Sequence, residues 1–276
     1  MINRFALPIL LIAGAVAVSA CRSIDNYTEP NEPLFTGSYA EEPPVDDGIL
    51  KAVSWNIAFS EEIETAIEEL SQVEELANAD IILLQEMDET GVEEIAQELG
   101  YNYLYFPASV HSHHDRNFGN AILSKWPLSE PGKLILPHTN PRNDQIRIAA
   151  KAIAEIDDRD VHIYSVHTET YWLGQDEREE QINALLEDLP AGEEIIIVGG
   201  DFNTLTPGSV TSLVEHFEDA DLVRGGADTG PTVGIGRVGL TLDHIFTRGL
   251  SELDAGVWSK TEASDHNPLW VDFALD

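Results

Sequence analysis

The sequence contains a single cysteine, Cys21, and only 15 lysines and arginines against 50 aspartates and glutamates in 276 residues. One cysteine excludes a disulfide bond within the chain. The formal net charge of -35 repels polyanions at low salt. It argues against tight, extensive binding to nucleic acid, because such binding uses basic side chains at the phosphates. The same acidity suits a protein that stays soluble in high salt.

The N-terminus has an apolar stretch, residues 7–18, that is short for a membrane-spanning helix and about as long as the apolar core of a signal peptide. It runs into Val18-Ser19-Ala20-Cys21, which is similar to a bacterial lipobox. We predict that residues 1–20 are a lipoprotein signal peptide and that Cys21 carries the lipid. The alternatives are an ordinary signal peptide with a chance cysteine and an N-terminal membrane anchor.

The next segment, residues 21–48, is acidic and rich in proline, and it lacks apolar periodicity. This composition is typical of disordered chain. We therefore predict a disordered tether over residues 21–48 and a folded domain over residues 49–276. The length and the apolar content of 43% are sufficient for one domain with a sizeable core.

Apolar periodicity within the predicted domain indicates alternating strands and helices. Thr90 and Glu93 form a capping-box pattern at the start of one helix. The predicted strands cover residues 50–55, 80–85, 101–106, 161–166 and 195–198, and the predicted helices cover residues 61–77, a segment beginning near Thr90 and a segment around residues 182–189. The alternation fits an α/β or α+β domain, although pattern alone does not fix the topology.

The stretch Gly199-Gly200-Asp201-Phe202-Asn203 follows an apolar run that predicts a strand buried on both faces. Two glycines would let the backbone turn sharply as it leaves the sheet. Asp201 and Asn203 then lie where the core meets solvent, and their oxygens and amide suit a hard metal ion and a phosphate. The alternative is an ordinary Asx turn after a strand.

Polar groups recur at the edges of other apolar segments. Strands that run in both directions can bring such edges to one rim of a sheet. The groups that follow or precede predicted strands in this way are Asn56, Glu86, His167, Asp243 and His266. Their recurrence predicts a site at one rim of the sheets.

Taken together, these segments resemble the endonuclease/exonuclease/phosphatase superfamily. The matching stretches, in chain order, are Ser54-Trp55-Asn56-Ile57, Leu84-Gln85-Glu86, Gly119-Asn120-Ala121-Ile122-Leu123-Ser124, Val166-His167-Thr168, Gly200-Asp201-Phe202-Asn203, Leu242-Asp243-His244-Ile245-Phe246 and Ser264-Asp265-His266-Asn267-Pro268. The resemblance implies a four-layer sandwich, in which two packed mixed β-sheets are flanked by helices.

The resemblance also implies a metal centre. Glu86 is the expected ligand of Mg²⁺, with Mn²⁺ or Ca²⁺ as alternative ions. Asn56 would hold that carboxylate or contact the metal through water, and Asp265 would point its side chain to the metal as a further ligand. Mg²⁺ prefers oxygen ligands and keeps several waters, so that few carboxylates suffice.

The catalytic roles implied by the resemblance fall mainly to two histidines. His266 would deprotonate water, with Asp243 fixing the tautomer of its imidazole. His167 would either donate a hydrogen bond to a phosphate oxygen or protonate the leaving group. Asp201 would help to position the attacking water, and Asn203 would orient that water or the phosphate.

The remaining candidates have less defined roles. Asn120 would support the site, whereas Arg147 would either bind phosphate with its guanidinium fork or form a salt bridge with a carboxylate. His162 lies on the other face of the strand from His167 and is expected to be structural. His244 stands where the family often has tyrosine. The cluster of His111, His113, His114 and Asp115 is either a transition-metal site or a loop on the substrate side.

We therefore expect an exported, lipid-anchored, Mg²⁺-dependent phosphoesterase, monomeric and located at the cell envelope. Its partners would be a phosphate-ester substrate and the membrane that holds the lipid. The acidity favours a lipid headgroup, a sugar phosphate or a small phosphodiester. The alternatives are an extracellular endonuclease or exonuclease that acts on DNA or RNA, for which nucleic acid is only a substrate, and a catalytically inactive surface binding protein.

Overall fold

The computed structural model describes residues 24–41, 44, 48–111, 113–192, 194–235 and 238–275. In chain order, the strands are β1 (Asp25–Asn26), β2 (Phe35–Ser38), β3 (Ile49–Asn56), β4 (Ile81–Met87), β5 (Asn102–Val110), β6 (Asn117–Ser124), β7 (Leu128–Ile135), β8 (Ile148–Ile156), β9 (Arg159–His167), β10 (Ile195–Asp201), β11 (Val223–Gly225), β12 (Val233–Ile235), β13 (Val238–Leu240), β14 (Asp243–Arg248), β15 (Ser251–Val257) and β16 (Leu269–Ala274). The helices are α1 (Ile63–Gln72), α2 (Glu89–Leu99), α3 (Gln175–Asp188) and α4 (Pro207–Asp219), and a 3₁₀ turn covers Ala58–Ser60.

Most of the strands form two mixed sheets. In the first sheet the order is β1-β5-β6-β4-β3-β16-β15, and β2 also pairs with β5. In the second sheet the order is β11-β14-β10-β9-β8-β7. Strands β3 and β4 are parallel, as are β9 and β10, and the other pairs in the two sheets are antiparallel.

Three apolar clusters divide the molecule into four layers. The sheets pack face to face on one cluster, which includes Leu83, Ile163 and Ile197. A second cluster joins the outer face of the first sheet to α1 and α2, and a third joins the outer face of the second sheet to α3 and α4. The predicted four-layer sandwich is confirmed.

Side-chain alternation explains why the central strands read as continuous apolar runs. Ile81 and Leu83 of β4 point into the cluster between the sheets, whereas Ile82 and Leu84 point into the cluster beneath the helices. Because each such strand is covered on both faces, both sets of alternating residues are apolar.

The structure corrects the predicted tether where it describes residues 21–48. Within residues 24–41, β1 and β2 pair with β5. The buried Lys133 ammonium donates hydrogen bonds to the carbonyls of Tyr27 at 2.9 Å and Glu32 at 2.8 Å. Short strands and one buried lysine hold this segment against the sheet, although its composition resembles that of disordered chain. Cys21 and the predicted signal peptide lie outside the described residues.

Two helix boundaries also differ from the predictions. The first helix ends at Gln72 rather than residue 77, because Val73 is extended and Leu76 turns inward to pack beneath the helices. The second helix is capped by Asp88, whose carboxylate accepts from Gly91 N at 2.8 Å, so that the expected capping box at Thr90 does not form. Among the described residues, none of the helices is long and apolar enough to cross a membrane.

Candidate functional site

Three neighbouring strands of the second sheet bring Asp201, His167 and Asp243 into one row. Asp201 ends β10 and is in register with His167, the last residue of β9, and with Asp243, the first residue of β14. β9 runs parallel to β10 and β14 runs antiparallel to it, and the strands therefore present two ends and one start at the same rim.

The two glycines before Asp201 do not turn the chain as predicted, since both pair within β10. They allow close packing instead. A Cβ atom on Gly200 would lie 1.9 Å from the carbonyl oxygen of Val166, and one on Gly199 would lie 2.6 Å from the side chain of Leu83. Both positions therefore require glycine, because neighbouring backbone and core atoms occupy the space that a Cβ atom would need.

The first sheet contributes Asn56 and Glu86 at the facing rim. Asn56 ends β3, and Glu86 lies in a bulge of β4 where two residues oppose Asn120 of β6. Glu86 has a φ of 60°, a conformation that is uncommon for residues with a side chain. The bulge redirects its carboxylate into the gap between the sheets.

The side chains from both sheets meet around one carboxylate oxygen, Asp201 Oδ2. Asn56 Nδ2 donates to this oxygen at 3.1 Å. The Nε2 atoms of His167 and His266 lie 3.5 Å and 3.9 Å from it. Glu86 Oε1 is 4.0 Å from His167 Nε2. The structure thus brings together five residues that were predicted to share a site.

His266 is held by one contact to its ring and two contacts to its backbone. Its Nδ1 lies 2.8 Å from Asp243 Oδ2, and this carboxylate fixes the tautomer with the proton on Nδ1. Trp55 Nε1 donates to the His266 carbonyl at 2.8 Å, and Ser264 Oγ accepts from the His266 amide at 3.1 Å. Its Nε2 is consequently left facing the gap beside Asp201.

The electrostatics of this cluster keep a proton near His266. Burial lowers the pKa of His266, but the carboxylates of Asp243 and Asp201 outweigh it and raise the pKa to about 10. Burial raises the pKa of Asp201 to about 7, opposed by the charge of His266 and reinforced by Asp243. The cluster as a whole therefore favours bound positive charge, either a proton or another cation.

His167 lies in the opposite electrostatic situation. Burial, followed by the positive charges of Arg147 and His266, lowers its pKa well below the usual value. Arg147 Nη1 lies 3.2 Å from His167 Nε2 and 3.3 Å from Nδ1. The imidazole is thus held neutral, with one N–H to donate.

The guanidinium of Arg147 forms the salt bridge that was one of its two predicted roles. Its Nε and Nη2 donate to the buried carboxylate of Glu169 at 3.1 Å and 3.4 Å. Burial raises the pKa of Glu169, but the Arg147 charge and the hydrogen bonds from Arg147 and Thr170 lower it overall. Sequence reasoning missed Glu169, whose only signal is its position two residues after His167.

Asn203 and Asp201 form the Asx turn that was the alternative to a functional role. The amide of Asn203 donates to Asp201 Oδ1 at 2.9 Å, and Asn203 has a φ of 51°. Its side-chain amide donates to the carbonyl of Thr168 at 3.1 Å. The turn occupies Oδ1 only, and Oδ2 remains directed into the site.

Asn120 lies beneath the site and links the two sheets. Its Nδ2 donates to the carbonyls of Ile148 at 3.0 Å and Ser165 at 2.9 Å. Gln85 Nε2 donates to Ser165 Oγ at 3.1 Å. These buried bonds fix the separation of the sheets next to the bulge that carries Glu86, which agrees with a supporting position for Asn120.

The donor set can be tested for its fit to a metal ion. Asn56 Oδ1 is buried and has no hydrogen-bond partner in the described structure. Burial raises the pKa of Glu86, against the charges of Arg147 and His266, and no lysine or arginine among the described residues forms an ion pair with it. A buried amide oxygen without a partner, beside a desolvated carboxylate whose neighbours include the side chain of Asn56, fits a hard divalent cation.

A second set of donors overlaps this one. Asp201, Asp243 and His266 each offer an atom within 4.8 Å of the others, and they are the one such group of acidic residues and histidines in the described chain. Two of the three, Asp243 and His266, are already bonded to each other. The oxygens of Asn56 and Glu86 are therefore the more available donors.

The other predicted residues occupy separate positions. Asp265 is exposed, although its charge is near enough to raise the pKa of Glu86. His162 lies five residues before His167 on β9, away from the site. His244 is buried beneath α4, where its Nε2 bonds Thr204 Oγ1 at 2.8 Å and burial lowers its pKa to about 3.

A two-sheet sandwich with buried histidines and carboxylates at one rim defines a class of phosphoester hydrolases. The chain belongs to the Endonuclease/Exonuclease/phosphatase family, whose model matches residues 53–266. The predicted resemblance is confirmed. Members of this metal-dependent family hydrolyse phosphoesters, and the cluster around Asp201 provides a possible metal site here.

Solved structures show the same fold at low sequence identity. An endonuclease/exonuclease/phosphatase family protein from Leptotrichia buccalis C-1013-b is 16% identical, with a TM-score of 0.66 and coverage of 80% of this chain and 98% of that one. D. rerio TDP2 complexed with single strand DNA product is 18% identical, with a TM-score of 0.62 and coverage of 82% and 99%. A mannosyl-6-phosphatase of Bacteroides thetaiotaomicron VPI-5482 is 16% identical, with a TM-score of 0.61 and coverage of 81% and 99%.

Curated relatives match a shorter part of the chain. A UPF0294 protein of Vibrio vulnificus (strain YJ016) is 34% identical over 113 residues, which are 41% of this chain and 39% of the relative. The chain thus spans about two fifths of the length of the curated relatives that it matches.

Proposed function

We propose that this protein is a metal-dependent hydrolase of small phosphodiesters or phosphomonoesters, in which water activated by His266 attacks phosphorus. The observation that carries this proposal is the convergence of Asn56, His167 and His266 on Asp201 Oδ2, with Glu86 beside them. Lipid headgroups, sugar phosphates and small phosphodiesters are the substrates proposed.

The Asp243–His266 pair supplies the base. Asp243 holds the Nδ1 proton, and Nε2 is the nitrogen that accepts a proton from water. Asp201 Oδ2, 3.9 Å from this Nε2, accepts the other hydrogen of the same water and so aligns it. The Asx turn at Asn203 keeps the Asp201 carboxylate in that orientation.

His167 acts as a neutral hydrogen-bond donor to a non-bridging phosphate oxygen. A general acid must hold a proton that it can release, and burial beside Arg147 disfavours the protonated imidazole. Of the two roles predicted for His167, phosphate binding therefore has the better support.

Glu86 and Asn56 are the residues proposed to hold the metal, with Asp265 nearby. The chemistry that Mg²⁺ supplies when bound in such a site is neutralisation of charge on the phosphate and on the surrounding carboxylates. Mn²⁺ and Ca²⁺ are alternatives, because they also bind oxygen ligands. The positive charge would also disfavour the extra proton on His266 and so free Nε2 to act as a base.

Small substrates are favoured over nucleic acid by charge. The net charge of -35 opposes the approach of a polyanion, and Arg147, the guanidinium nearest to His167, is bonded to Glu169. An extracellular nuclease remains the second candidate, because TDP2, a protein of the same fold, is described with a single-strand DNA product and high salt would screen the repulsion.

Hydrolysis of bis(p-nitrophenyl) phosphate with and without Mg²⁺ tests the reaction directly. We expect turnover that is abolished by a chelator and restored by added metal. A panel of single-stranded DNA, phospholipid and sugar phosphate then separates the substrate classes. Absence of turnover on every substrate, with the metal-binding residues intact, would favour an inactive binding protein.

Glu86→Gln tests the metal assignment, because it keeps the shape of the side chain and removes its charge. We expect this variant to fold normally and to require at least tenfold more Mg²⁺ for half-maximal activity. Glu89→Gln, at the start of α2, is the matched control and should show the wild-type metal requirement. An unchanged metal requirement in Glu86→Gln would exclude Glu86 as the main ligand.

We further propose export and lipid attachment at Cys21, which rest on the lipobox-like stretch alone. Two or more acyl chains would anchor the protein stably to a membrane. Mass spectrometry of the protein from its native host should show an N-terminal, acylated Cys21. An unmodified cysteine, or an N-terminus well beyond it, would contradict the anchor.

A further inference from the structure

Four rings form a continuous aromatic group at the mouth of the site, which we name the aromatic shelf. It consists of Phe59, His111, His114 and Phe118. The rings of Phe59 and His114 are nearly parallel, with an interplanar angle of 16° and a centroid distance of 4.4 Å. Phe59 also lies 4.7 Å from His111 and 5.7 Å from Phe118, and both Phe59 and His114 are partly exposed.

The aromatic shelf adjoins the catalytic residues. The ring of Phe118 lies 5.8 Å from that of His167, and the guanidinium of Arg147 lies 5.5 Å from the Phe118 ring. Phe59 and His114 line an open cavity of about 410 Å³ whose wall also includes Asp265, next to His266. A group attached to a phosphate at His167 can therefore reach the shelf.

Phe59 is held in this position at a conformational cost. It has a φ of 59°, which is a strong outlier for a bulky residue, and Ser60 follows with a φ of 54°. Arg116 fixes the turn by donating to the Phe59 carbonyl and to Asp88, each at 2.7 Å. Ser60 Oγ accepts from the Asp88 amide at 3.0 Å. Backbone strain of this kind persists only where the surrounding contacts enforce it. Here the contacts hold the Phe59 ring at the wall of the cavity.

The histidines of the shelf do not form a metal site in the described residues. His111, His113 and His114 are not among the grouped ligand atoms that lie within 4.8 Å of one another. His111 contributes an uncharged ring, because burial and the nearby charges of His114, His113 and Arg147 lower its pKa to about 4. Of the two interpretations predicted for this cluster, the substrate-side loop is the one that the geometry supports.

We propose that the aromatic shelf is a substrate subsite that stacks a planar ring, such as a nucleobase, of the group esterified to the scissile phosphate. The inference rests on the proposed phosphoesterase function and narrows its substrate class to small nucleotide-like esters. Base stacking on an aromatic side chain contributes about 1–3 kcal/mol per base and tolerates every base.

The rest of the cavity wall limits the substrate to one such unit. Glu61, Glu62 and Glu262 line the cavity beside Phe59. Their carboxylates can accept hydrogen bonds from the amino groups of a base, but they repel a second phosphate. The subsite therefore suits a mononucleotide-like ester better than an extended DNA or RNA strand.

The geometry of the rings favours a planar ring over an alkylammonium group. Phe59 and His114 stack on each other, so that a further planar ring could extend the stack, and the two parallel rings do not form a cage around a small cation. An alkylammonium headgroup, which the acidic wall would attract, is the competing occupant that the experiment must separate.

Binding of matched ligands tests the subsite without requiring turnover. Isothermal titration calorimetry would compare methylene phosphonate analogues of adenosine 5′-monophosphate and 1-deoxyribose 5-phosphate, in which hydrogen replaces the base, and neither analogue is hydrolysed. We expect wild-type protein to bind the adenosine analogue roughly tenfold or more tightly. Phe59→Leu, which keeps bulk and removes the ring, should reduce this ratio to near one, whereas Phe59→Tyr should retain it.

Trp172→Ala is the control, because Trp172 is an exposed aromatic residue on the loop after β9 and outside the shelf, so that its replacement should leave the ratio unchanged. Equal affinities in wild-type protein, or a preference that survives Phe59→Leu, would overturn the subsite. Phosphocholine is the third ligand. If it binds more tightly than the adenosine analogue, and if Phe59→Leu removes this higher affinity, the occupant of the shelf is an alkylammonium group and not a planar ring. Failure of the nitrophenyl phosphodiester assay would instead count against the proposed hydrolase.

Discussion

The two site histidines differ in charge because their neighbours differ. His266 faces the carboxylates of Asp243 and Asp201, which outweigh its burial and raise its pKa. His167 is fully enclosed beside Arg147, and burial together with that charge lowers its pKa. One residue type therefore supplies a strong base on one side of Asp201 and a neutral donor on the other.

This difference in charge predicts how the replacement of each histidine lowers kcat for substrates with good and poor leaving groups. His266→Ala removes the base and should lower kcat on the order of 10²-fold or more for good and poor leaving groups alike. His167→Ala removes a phosphate hydrogen bond, and its loss of about 10²-fold should also be independent of the leaving group. The measurement is kcat on two phosphodiesters that differ only in leaving-group pKa.

His162→Ala is the control for this comparison, since His162 lies on β9 outside the site and should affect stability more than rate. A loss in His167→Ala that shrinks with a nitrophenolate leaving group would show that His167 acts as a general acid. A near-normal rate in His266→Ala would remove the proposed base.

At the scale of single residues, the sequence predicted which side chains meet and the bond between Asp243 and His266, but not the carboxylate that pairs with Arg147. Asp201, His167 and Asp243 could be placed together because each lies at the edge of an apolar run. Glu169 could not be found, because the residue that it pairs with, Arg147, precedes another strand 22 positions earlier. Long-range pairing of this kind depends on sheet order, which pattern alone does not give.

Among the structural elements, the N-terminal segment is held in part by one buried side chain. The buried ammonium of Lys133 donates to the carbonyls of Tyr27, Glu32 and Pro107. The composition of this segment predicted disorder, and neither β1 nor β2 is long enough to give an apolar pattern. Its order comes from pairing with β5 and from this lysine.

Lys133→Met should therefore release residues 24–41 from the sheet while the rest of the domain stays folded. The methionine keeps the apolar stem but leaves buried carbonyls without a donor, at a cost of about 1–3 kcal/mol. We expect roughly 10- to 100-fold faster hydrogen exchange in β2 and preferential proteolysis in this segment. Lys151 lies on the neighbouring strand β8 and forms an ion pair with Asp188 of α3, and Lys151→Met should leave the exchange of β2 unchanged. Equal protection of β2 from hydrogen exchange in Lys133→Met and Lys151→Met would contradict the role of Lys133.

The tyrosines of strand β5 and Tyr101, which precedes it, give the domain a sensitivity to alkali. Burial raises the pKa of Tyr103 to about 12, with the charge of Glu93 and the neighbouring Tyr39 adding to it, and burial also raises the pKa of Tyr101 and Tyr105. These folded-state pKa values exceed the unfolded value of about 10. The stabilisation is therefore complete below pH 10 and is lost as the pH rises through 12.

We expect cooperative unfolding above pH 10, with tyrosine ionisation at 295 nm coinciding with the loss of far-ultraviolet circular dichroism. Tyr103→Phe keeps the ring and removes one ionisable hydroxyl, so that its unfolding midpoint should shift to higher pH. Ionisation of all the tyrosines with the circular dichroism unchanged would show that the hydroxyls are accessible in the folded state.

The elements also show where pattern reasoning fails. The helix α4 was not predicted, although Thr206 and Pro207 are a recognisable start and Leu213 and Phe217 have helical spacing. The bulge at Glu86 has no sequence signal, because it depends on the pairing of β4 with β6. The sandwich itself was predicted through the family resemblance, since apolar runs identify strands but not their order.

For the whole molecule, the dominant feature is the net charge of -35. Repulsion among the carboxylates destabilises the compact state, and salt screens it. The screening length falls from about 30 Å at 0.01 M to about 3 Å at 1 M salt. The four-layer core, with three apolar clusters, must offset this repulsion at low salt.

The melting temperature should therefore rise as NaCl increases from 0.01 to 1 M. Each 1 kcal/mol of relieved repulsion corresponds to about 2–4 °C for a domain of this size. Choline chloride at the same ionic strength should give the same rise below about 0.2 M, where screening outweighs ion-specific effects. A melting temperature that is constant or falls with salt would show that the acidic surface does not limit stability.

The KM for an anionic phosphodiester should fall over the same range of salt, because the same screening weakens the repulsion of the substrate by the protein. A constant KM would show that the site is shielded from the charge of the rest of the molecule.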